Sequence, residues 1–338
     1  MQAKETTFTF EAIAEAKPGD VWRAHFERHW ESYRSWFLSQ GDADRPSYLE
    51  SRTRFEEFMP GLLPTYERLV ELAGGGDIAA RLLSLYRPPP YLTGCSQAVW
   101  TEGEEPILVR NYDYHPRLLE GTLLRSEWLG SPVLAMLDCL WGVLDGMNAS
   151  GLVVSLAFGG RTQVGDGFGI PVVLRHVLET CDNAEEAVDV LKRVPAHMAY
   201  NVTVLDQAGR FKTVYLSPDR TPVVRQFPVA TNHQGRVEWL EHAHATATLE
   251  RERFLFSRFV DTDETASGFI ESFLRPPLLS QSYSRGYGTL YTAVYWPRRG
   301  CMELRWPGQT WRQSLGTFVP GTRDIVFKDL DPPGRATL

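Results

Sequence analysis

Three consecutive prolines at positions 88–90 divide this chain into two parts with different sequence patterns. Proline lacks a backbone N–H and fixes φ, so the run ends any helix before it and extends the chain towards Gly94. Before the prolines, aromatic residues recur at helical spacing: Trp22, Phe26, Trp30, Tyr33 and Phe37. From Cys95 onward, short strand-like runs and turns replace that pattern. The sequence therefore predicts a helical segment, 1–94, followed by a different kind of domain, 95–338.

The larger part combines strands with a few helices. Strand-like runs extend to residue 158, and two helices are predicted to begin at Pro171 and Asp182. Strands resume over 200–229, and a final hairpin turns through residues 297–300. Strands grouped between helices in this way indicate antiparallel sheets packed by helices, which is an α+β fold.

Charge and cysteine usage exclude several classes of function. The net charge of −7 is spread over 338 residues without a basic cluster, so nucleic-acid binding is not expected. No apolar run reaches membrane-spanning length, and the first residues lack the apolar core of a signal peptide. Four cysteines stand far apart without a CxxC pair, which predicts free thiols and a cytoplasmic protein. Three of them fall on apolar faces and are expected to be inert core thiols: Cys139, Cys181 and Cys301.

The first hairpin is predicted to bring two charged residues close to Cys95. If its turn lies near Gly103, opposed residues have numbers that sum to about 207, and Cys95 faces Tyr112. Arg110 and Asp113 then lie within one or two cross-strand steps of the thiol. These two residues would point to opposite faces of a regular strand, so both reach Cys95 only where the strand twists, ends or bulges.

The chemistry of this group allows two interpretations. A nearby guanidinium lowers the pKa of a thiol and favours the reactive thiolate. A carboxylate could hold an α-ammonium group if cleavage made Cys95 the first residue of a chain. That amine, with a pKa of about 8, could then act as a base for its own thiol. Alternatively, Arg110 and Asp113 form a surface ion pair and Cys95 is an ordinary buried thiol.

A set of motifs in this chain resembles one enzyme superfamily. Gly-Cys-Ser at 94–96 and Val-Arg-Asn-Tyr-Asp-Tyr at 109–114 resemble the start of the choloylglycine hydrolases and penicillin V acylases, which are N-terminal nucleophile (Ntn) hydrolases. Three later segments resemble the same superfamily, at 145–152, 200–206 and 230–233. The Thr-Asn-His form of the last segment and the long segment before the cysteine fit one branch, the acyl-coenzyme A:6-aminopenicillanic acid acyltransferase family.

The resemblance implies both a fold and a maturation step. The fold would be a four-layer αββα Ntn hydrolase fold with an added N-terminal helical segment. The Cys95 thiol would attack the Gly94 carbonyl, because this cysteine does not follow the initiator methionine and must be exposed by autoproteolysis. The products, 1–94 and 95–338, would stay associated as two subunits.

The resemblance also implies roles for individual residues. Cys95 would be the nucleophile and, through its α-amine, the base. Arg110 and Asp113 would position the thiol and the amine, and Asn232 would contribute its side-chain amide to the oxyanion hole.

Three further positions are weaker assignments. Asn148 matches a position that assists substrate or oxyanion binding, and His233 follows Asn232 and could line the site. The late arginine of the family falls best at Arg251, with Arg253 and Arg258 as alternatives.

The predicted activity is cleavage of a linear amide in a small-molecule substrate through an acyl-enzyme on Cys95. An N-acyltransferase that uses acyl-CoA is the alternative, and the hydrolase is preferred because no segment offers a convincing phosphate site for coenzyme A. A non-catalytic binding protein of the same fold, and a cysteine enzyme that works uncut with His233 as its base, are further alternatives. No cofactor, metal, nucleic acid or membrane is predicted as a partner, and a homo-oligomer is left open.

Two other motifs receive structural interpretations. His25 and His29 have the spacing of metal ligands on a helix, but no third ligand completes a known zinc motif, so packing is predicted. The glycine-rich run 165–169 lacks the surrounding pattern of a dinucleotide-binding loop and is predicted to be a mobile loop near the pocket.

Overall fold

The computed structural model describes residues 5–103 and 105–329. The strands are β1 (Glu5–Glu15), β2 (Gly94–Trp100), β3 (Ile107–Tyr114), β4 (Thr122–Ser126), β5 (Val133–Asp138), β6 (Gly142–Asn148), β7 (Val153–Phe158), β8 (Tyr200–Leu205), β9 (Phe211–Ser217), β10 (Arg220–Arg225), β11 (Val229–Ala230), β12 (Gln281–Ser282), β13 (Tyr287–Trp296), β14 (Cys301–Trp306), β15 (Gln309–Ser314) and β16 (Gly321–Lys328). The helices are α1 (Asp20–Phe37), α2 (Tyr48–Phe58), α3 (Leu63–Leu72), α4 (Asp77–Ser84), α5 (Ile170–Thr180), α6 (Ala184–Arg193), α7 (Leu240–Ala245), α8 (Thr248–Phe259) and α9 (Ala266–Ser272).

The strands form two sheets. The large sheet has nine strands in the order β10-β9-β8-β7-β6-β5-β4-β1-β16. The small sheet has seven strands, in the order β11-β2-β3-β13-β14-β15 with β12 paired to β13. Neighbouring strands in both sheets are antiparallel except β1 and β4, which are parallel. This arrangement confirms the predicted α+β class, because short connections between successive strands produce antiparallel pairing.

The two sheets pack face to face, with helices outside each. Between the sheets, Gln97 of β2 donates to the Asn201 carbonyl of β8 at 3.0 Å. Helix α5 lies so close to the outer face of the large sheet that a Cβ on Gly142 would stand 2.3 Å from Pro171. Side chains of α8 and α9 pack with the outer face of the small sheet in a second apolar cluster. The layers therefore follow the predicted αββα order.

The segment before Cys95 differs from the helical prediction at its start. Residues of β1 pair with β16 on one side and β4 on the other, so this strand is an interior strand of the large sheet. Phe10 and Ala12 face the core and alternate with more exposed neighbours, which is the two-residue period of a strand. Residues 1–4 lie outside the described residues. The helical prediction for 1–94 therefore misses strand β1 and agrees with the helices α1, α2, α3 and α4.

Helix α1 carries the aromatic stripe that the sequence predicted. Trp22 is buried and its indole N–H donates to the Leu140 carbonyl, in the turn between β5 and β6, at 3.0 Å. The helix thereby lies against one end of the large sheet. Within the described ranges, no helix combines the length and the apolar character that a membrane crossing requires.

Candidate active site

The β2–β3 hairpin has the register that its sequence predicted. Cys95 lies opposite Tyr112, Gln97 opposite Arg110, and Gly94 opposite Asp113. Arg110 and Cys95 point into the space between the two sheets, and the Cys95 side chain is fully buried there.

Arg110 binds the sulfur of Cys95 and is itself held from the large sheet. Its Nη2 donates to Cys95 Sγ at 3.3 Å, and its Nη1 donates to the carboxylate of Asp145 on β6. Tyr291 and Tyr295 of β13 donate to that carboxylate at 2.7 and 2.5 Å. The buried arginine therefore has a buried counter-ion, which fixes its position beside the thiol.

Burial and charge act on the thiol in opposite directions. Burial raises the pKa of Cys95, because the thiolate loses its contact with water. The Arg110 guanidinium lowers that pKa, whereas the negative charge of Asp113 raises it. In the uncut chain burial dominates, and the pKa of Cys95 lies above its ordinary value.

Asp113 lies at the other side of Cys95, as its position three residues beyond Arg110 requires. Its carboxylate accepts hydrogen bonds from Thr289 Oγ1 at 2.7 Å and from Tyr287 Oη at 3.4 Å, and Arg251 lies at 3.3 Å. Burial raises the pKa of Asp113, and Arg251 and the two hydroxyls oppose that shift. The β2–β3 pairing is regular, so Asp113 stays on the face of β3 opposite to Arg110 and does not contact the sulfur. The register shift at this point lies on the other neighbour, β13, between Thr289 and Tyr291.

Asn232 and Arg251 hold the backbone of Cys95. The Cys95 N–H donates to Asn232 Oδ1 at 3.1 Å, and Arg251 Nη1 donates to the Cys95 carbonyl at 2.7 Å. Arg251 also donates to Asn232 Oδ1 at 2.6 Å, which links the two side chains. Asn232 Nδ2 donates to the Phe158 carbonyl at 3.1 Å and faces the Thr93 carbonyl at 3.5 Å.

Arg251 is the arginine that reaches Cys95 among the three predicted alternatives. Its neighbour Arg253 is exposed. Arg258 forms ion pairs with Asp261 and Glu264 instead. Arg251 reaches Cys95 because the first turn of α8 packs against β11 and directs the Arg251 side chain towards β2.

The structure does not bring Asn148 or His233 to the sulfur. Asn148 donates to the carbonyls of Leu178 and Cys181 at the end of α5, and its Oδ1 accepts two backbone N–H groups of the β6–β7 turn. Its contacts are therefore those of a turn residue, and they correct the expected substrate or oxyanion role. His233 contacts Thr248 Oγ1 at 3.1 Å and Glu252 at 3.4 Å, and within the described residues it has no contact with Cys95.

Gly94, the residue before Cys95, is in close contact with Tyr287. A Cβ on Gly94 would stand 1.9 Å from Tyr287 Oη and 2.7 Å from the ring carbon that bears it. Both atoms belong to a side chain that is held by Asp113. Only glycine therefore fits at this position without a displacement of the site.

Three side chains that support this site were not predicted from the sequence. Asp145, Tyr291 and Tyr295 hold Arg110, and they come from strands distant in the sequence. Asp145 lies in the 145–152 segment that resembles the superfamily, and Tyr291 and Tyr295 lie in β13. The sequence contains these residues in recognisable segments, but it does not show that they support Arg110.

The weaker motifs lie in packed surroundings. His25 Nε2 lies 2.8 Å from Glu120, and the His25 and His29 rings are in contact with centroids 4.7 Å apart. In residues 5–103 and 105–329 no group of three or more His, Cys, Asp and Glu side chains is arranged to hold a metal. The run 165–169 contains Phe168, which is buried in the core against Phe55 of α2. The run that was predicted to be a mobile loop is therefore fixed to the leader, the segment before Cys95. All four cysteines are buried free thiols.

One family profile and several solved structures are similar to this chain. The profile of the acyl-coenzyme A:6-aminopenicillanic acid acyl-transferase family matches residues 100–311. A mutant of the conjugated bile acid hydrolase from Clostridium perfringens has 14% identity, covers 68% of this chain and 96% of its own, and gives a TM-score of 0.48. The Caenorhabditis elegans ortholog of N-acylethanolamine-hydrolyzing acid amidase has 17% identity, coverage of 60% and 93%, and a TM-score of 0.46. Penicillin V acylase from Agrobacterium tumefaciens has 15% identity, coverage of 68% and 90%, and a TM-score of 0.43.

A comparison with curated proteins gives no match. The family profile begins five residues after Cys95 and spans four residues of the site, Arg110, Asp113, Asn232 and Arg251. It covers more than half of the chain. The chain therefore belongs to the acyl-coenzyme A:6-aminopenicillanic acid acyl-transferase family, and it is an enzyme that acts on amides.

Proposed function

We propose that this protein is an autoproteolytically activated cysteine amidohydrolase that cleaves linear amides of small molecules through a thioester on Cys95. The observation that carries the proposal is the contact between Arg110 and the Cys95 sulfur, in a site where Asn232 and Arg251 hold the backbone of the same residue. A guanidinium at this distance favours a thiolate, which is the reactive form of cysteine.

Activation begins within the uncut chain. The Cys95 sulfur attacks the Gly94 carbonyl carbon, the C–N bond between Gly94 and Cys95 breaks, and the Cys95 nitrogen takes up a proton to become an amine. Water then hydrolyses the thioester and releases the Gly94 carboxylate and the free thiol. Thr93 Oγ1 lies 3.9 Å from the sulfur and is a hydroxyl within reach of the transferred proton.

The new α-amine would remain beside Asn232, because the Cys95 nitrogen already donates to Asn232 Oδ1. With an unperturbed pKa of about 8, this amine can take the proton of the thiol as a substrate is attacked. It can then deliver the proton to the leaving amine. Asp113 and Arg251 are the charged groups that fix the surroundings of this nitrogen.

Asn232 is the candidate donor for the oxyanion. Its Nδ2 faces the Thr93 carbonyl in the uncut chain, so movement of residues 93 and 94 frees this N–H for a substrate oxygen. Loss of one such donor costs roughly 2.7–4 kcal/mol of transition-state stabilisation.

The burial of Cys95 supports an order in which cleavage comes first. Its side chain is 0% exposed, so an external amide cannot reach the sulfur until the residues that precede it move. This supports the cleaved form over an enzyme that works uncut with His233 as base, since His233 contacts Thr248 and Glu252.

The segment before Cys95 would stay bound after cleavage. Strand β1 pairs along both edges, with β4 and with β16, and α1 packs on the β5–β6 turn. These contacts support two associated subunits, 5–94 and 95–329 in the described range.

The same architecture could serve an N-acyltransferase that uses acyl-CoA, and the family name favours that second candidate.

The experiment that tests the activity uses the purified protein and a panel of N-acyl amino acids, penicillins and bile-salt conjugates. Release of free acid from a panel member, lost in Cys95→Ala and lost on acetylation of the Cys95 α-amine, would support the proposal. Activity that survives acetylation would contradict it. When an acyl-CoA and an amine are supplied together, formation of new amide faster than free acid would assign the acyltransferase instead.

A further inference from the structure

The first turn of α8 holds the loop after β11 through buried hydrogen bonds. Thr231, Asn232 and His233 of that loop are buried, and so is Thr248, the first residue of α8. Thr231 Oγ1 donates to the Thr248 carbonyl at 3.1 Å, and the Thr248 hydroxyl lies 2.8 Å from Thr231 Oγ1. The backbone N–H of Asn232 donates to Thr248 Oγ1 at 2.7 Å. One hydroxyl group therefore fixes the backbone of the residue that carries the candidate oxyanion donor.

His233 is the outer end of this hydrogen-bond chain. Its Nδ1 lies 3.1 Å from Thr248 Oγ1, and its Nε2 lies 3.4 Å from the carboxylate of Glu252. The side chain of Glu252 is 27% exposed and that of His233 is 5% exposed, so the chain runs from the surface to Asn232.

The Thr248 hydroxyl has no hydrogen-bonding position to spare. A hydroxyl group offers one donor and two acceptor positions. The Asn232 N–H, Thr231 Oγ1 and His233 Nδ1 occupy all three. Without the His233 ring one position is open, and the hydroxyl is free to turn away from Asn232.

The same helical turn also fixes the side chain of Asn232. Arg251 Nη2 donates to Asn232 Oδ1 at 2.6 Å, and Arg251 Nη1 donates to the Cys95 carbonyl at 2.7 Å. A shift between α8 and the loop would therefore move both groups that hold the Cys95 backbone. A misplacement of about 1 Å at a reacting centre can cost roughly 100-fold in rate.

We propose that His233 is a positioning residue for the candidate oxyanion donor: its Nδ1 holds the Thr248 hydroxyl, and that hydroxyl holds the Asn232 backbone. Within the described residues His233 has no contact with Cys95, so it acts through Thr248 and not as a base. Its effect on turnover rests on the proposed function. The hydrogen-bond chain itself does not.

Two substitutions of His233 separate the roles of its ring nitrogens. Asparagine places a polar atom at the position of Nδ1, where it can serve Thr248. Glutamine places one at the position of Nε2, where it can serve only Glu252. Asn201 Nδ2 donates to the carbonyls of Thr231 and His233 at 2.8 and 2.9 Å, and these contacts remain in both variants. We therefore expect both variants to fold.

Turnover is measured with whichever member of the panel of N-acyl amino acids, penicillins and bile-salt conjugates is hydrolysed. We expect His233→Gln to lower kcat by at least about tenfold and to change KM by less than about twofold, because an oxyanion donor acts in the transition state. His233→Asn should recover most of that loss. His244→Gln, at an exposed histidine of α7, should behave as the wild type does. A wild-type kcat in folded His233→Gln, or equal losses in the Gln and Asn variants, would overturn the inference.

Amide hydrogen exchange tests the hydrogen-bond chain without turnover. The exchange rate of the Asn232 backbone N–H is measured by NMR in the full chain that carries Cys95→Ala. We expect His233→Gln to raise this rate by at least about tenfold at an unchanged melting temperature, and His233→Asn to keep it low. Thr248→Val and Thr248→Ser repeat the comparison at the hydroxyl itself, with fast exchange in the valine variant alone.

The two measurements distinguish this inference from the proposed function. Faster exchange in His233→Gln without hydrolysis of any panel member would support the hydrogen-bond chain and contradict the proposed function. Hydrolysis by the wild type, with kcat and exchange unchanged in His233→Gln, would leave the proposed function standing and refute the positioning role.

Discussion

At the scale of single residues, the pKa of the Cys95 thiol depends on a balance between burial and one guanidinium. Burial raises the pKa of the thiol, and Arg110, at 3.3 Å from the sulfur, is the strongest opposing influence. Asp145 and two tyrosines hold Arg110 at that distance, so the position of the guanidinium does not depend on a substrate. Because this position is fixed in advance, a small change at Arg110 should shift the pKa of the Cys95 thiol before it disturbs the fold.

Arg110→Lys should raise the pKa of the Cys95 thiol in the cleaved enzyme. The ammonium keeps a charge for Asp145 but loses the planar fork that serves the carboxylate and the sulfur together. We expect the pH midpoint of alkylation by iodoacetamide to move upward by about one unit, since an adjacent opposite charge shifts a pKa by 1–3 units. The control is Arg253→Lys, an exposed position on α8, which should leave the midpoint unchanged. A midpoint in Arg110→Lys equal to that of the wild type would show that Arg110 does not tune the thiol.

Gly94→Ala should slow autoproteolysis by at least tenfold. The added Cβ would meet Tyr287 at 1.9 Å, and relief of that clash moves the scissile carbonyl relative to the sulfur. The fraction of cleaved chain is followed by gel electrophoresis over time, with the melting temperature as a check on folding. Gly76→Ala is the matched control, because a Cβ there meets nothing within 4 Å. Wild-type cleavage kinetics in a folded Gly94→Ala protein would contradict this account of the contact.

At the scale of secondary-structure elements, the site is built from the β2–β3 hairpin and from the large sheet to which β1 belongs. Strand β2 carries Cys95, the proposed nucleophile, and β3 carries Arg110 and Asp113, so one local hairpin supplies half of the candidate site. Strand β1 lies far from Cys95 in sequence but pairs within the large sheet on both edges. The leader is thereby part of the sheet that carries Asp145, the partner of Arg110.

Phe10→Ala should weaken the association of the leader with the rest of the protein. Phe10 is fully buried on β1 and packs against Tyr291 and Trp306, and such truncations cost about 3–5 kcal/mol. We expect a lower melting temperature and, after cleavage, partial loss of the small fragment on size-exclusion chromatography. Val326→Ala on the neighbouring strand changes an exposed side chain and should affect neither property. Full retention of the fragment and an unchanged melting temperature in Phe10→Ala would contradict a role for β1 as the anchor.

The sequence predicted those parts of the site that depend on local structure. The hairpin register follows from the position of one turn, so the pairing of Cys95 with Tyr112 is confirmed. Strand β1 was not predicted, although buried and more exposed residues alternate along it. The aromatic helical stripe that follows it led to a helical prediction for the whole segment. Asp145 was not recognised as the partner of Arg110, since the two meet only when separate sheets pack together. Asn148 matched a family position by sequence, but its amide is engaged by the end of α5.

At the scale of the whole molecule, the site lies where the layers of the fold meet. The small sheet provides Cys95, and the large sheet provides the counter-ion of Arg110. The loop after β11 provides Asn232, and helix α8 provides Arg251. The uncut chain holds the sulfur fully buried at this junction. Under the proposed function the molecule is a precursor whose Gly94–Cys95 bond is its first substrate, so the proposal depends above all on the cleavage of this bond.

Intact mass spectrometry of the purified protein is the most direct test of that claim. We expect two fragments, one that ends at Gly94 and one that begins at Cys95, together with a single uncut chain for Cys95→Ala. Cys139→Ala, which removes another buried thiol, should be cleaved as the wild type is. A folded wild-type chain that stays whole on prolonged incubation, or a Cys95→Ala chain that is cut at the same bond, would contradict it.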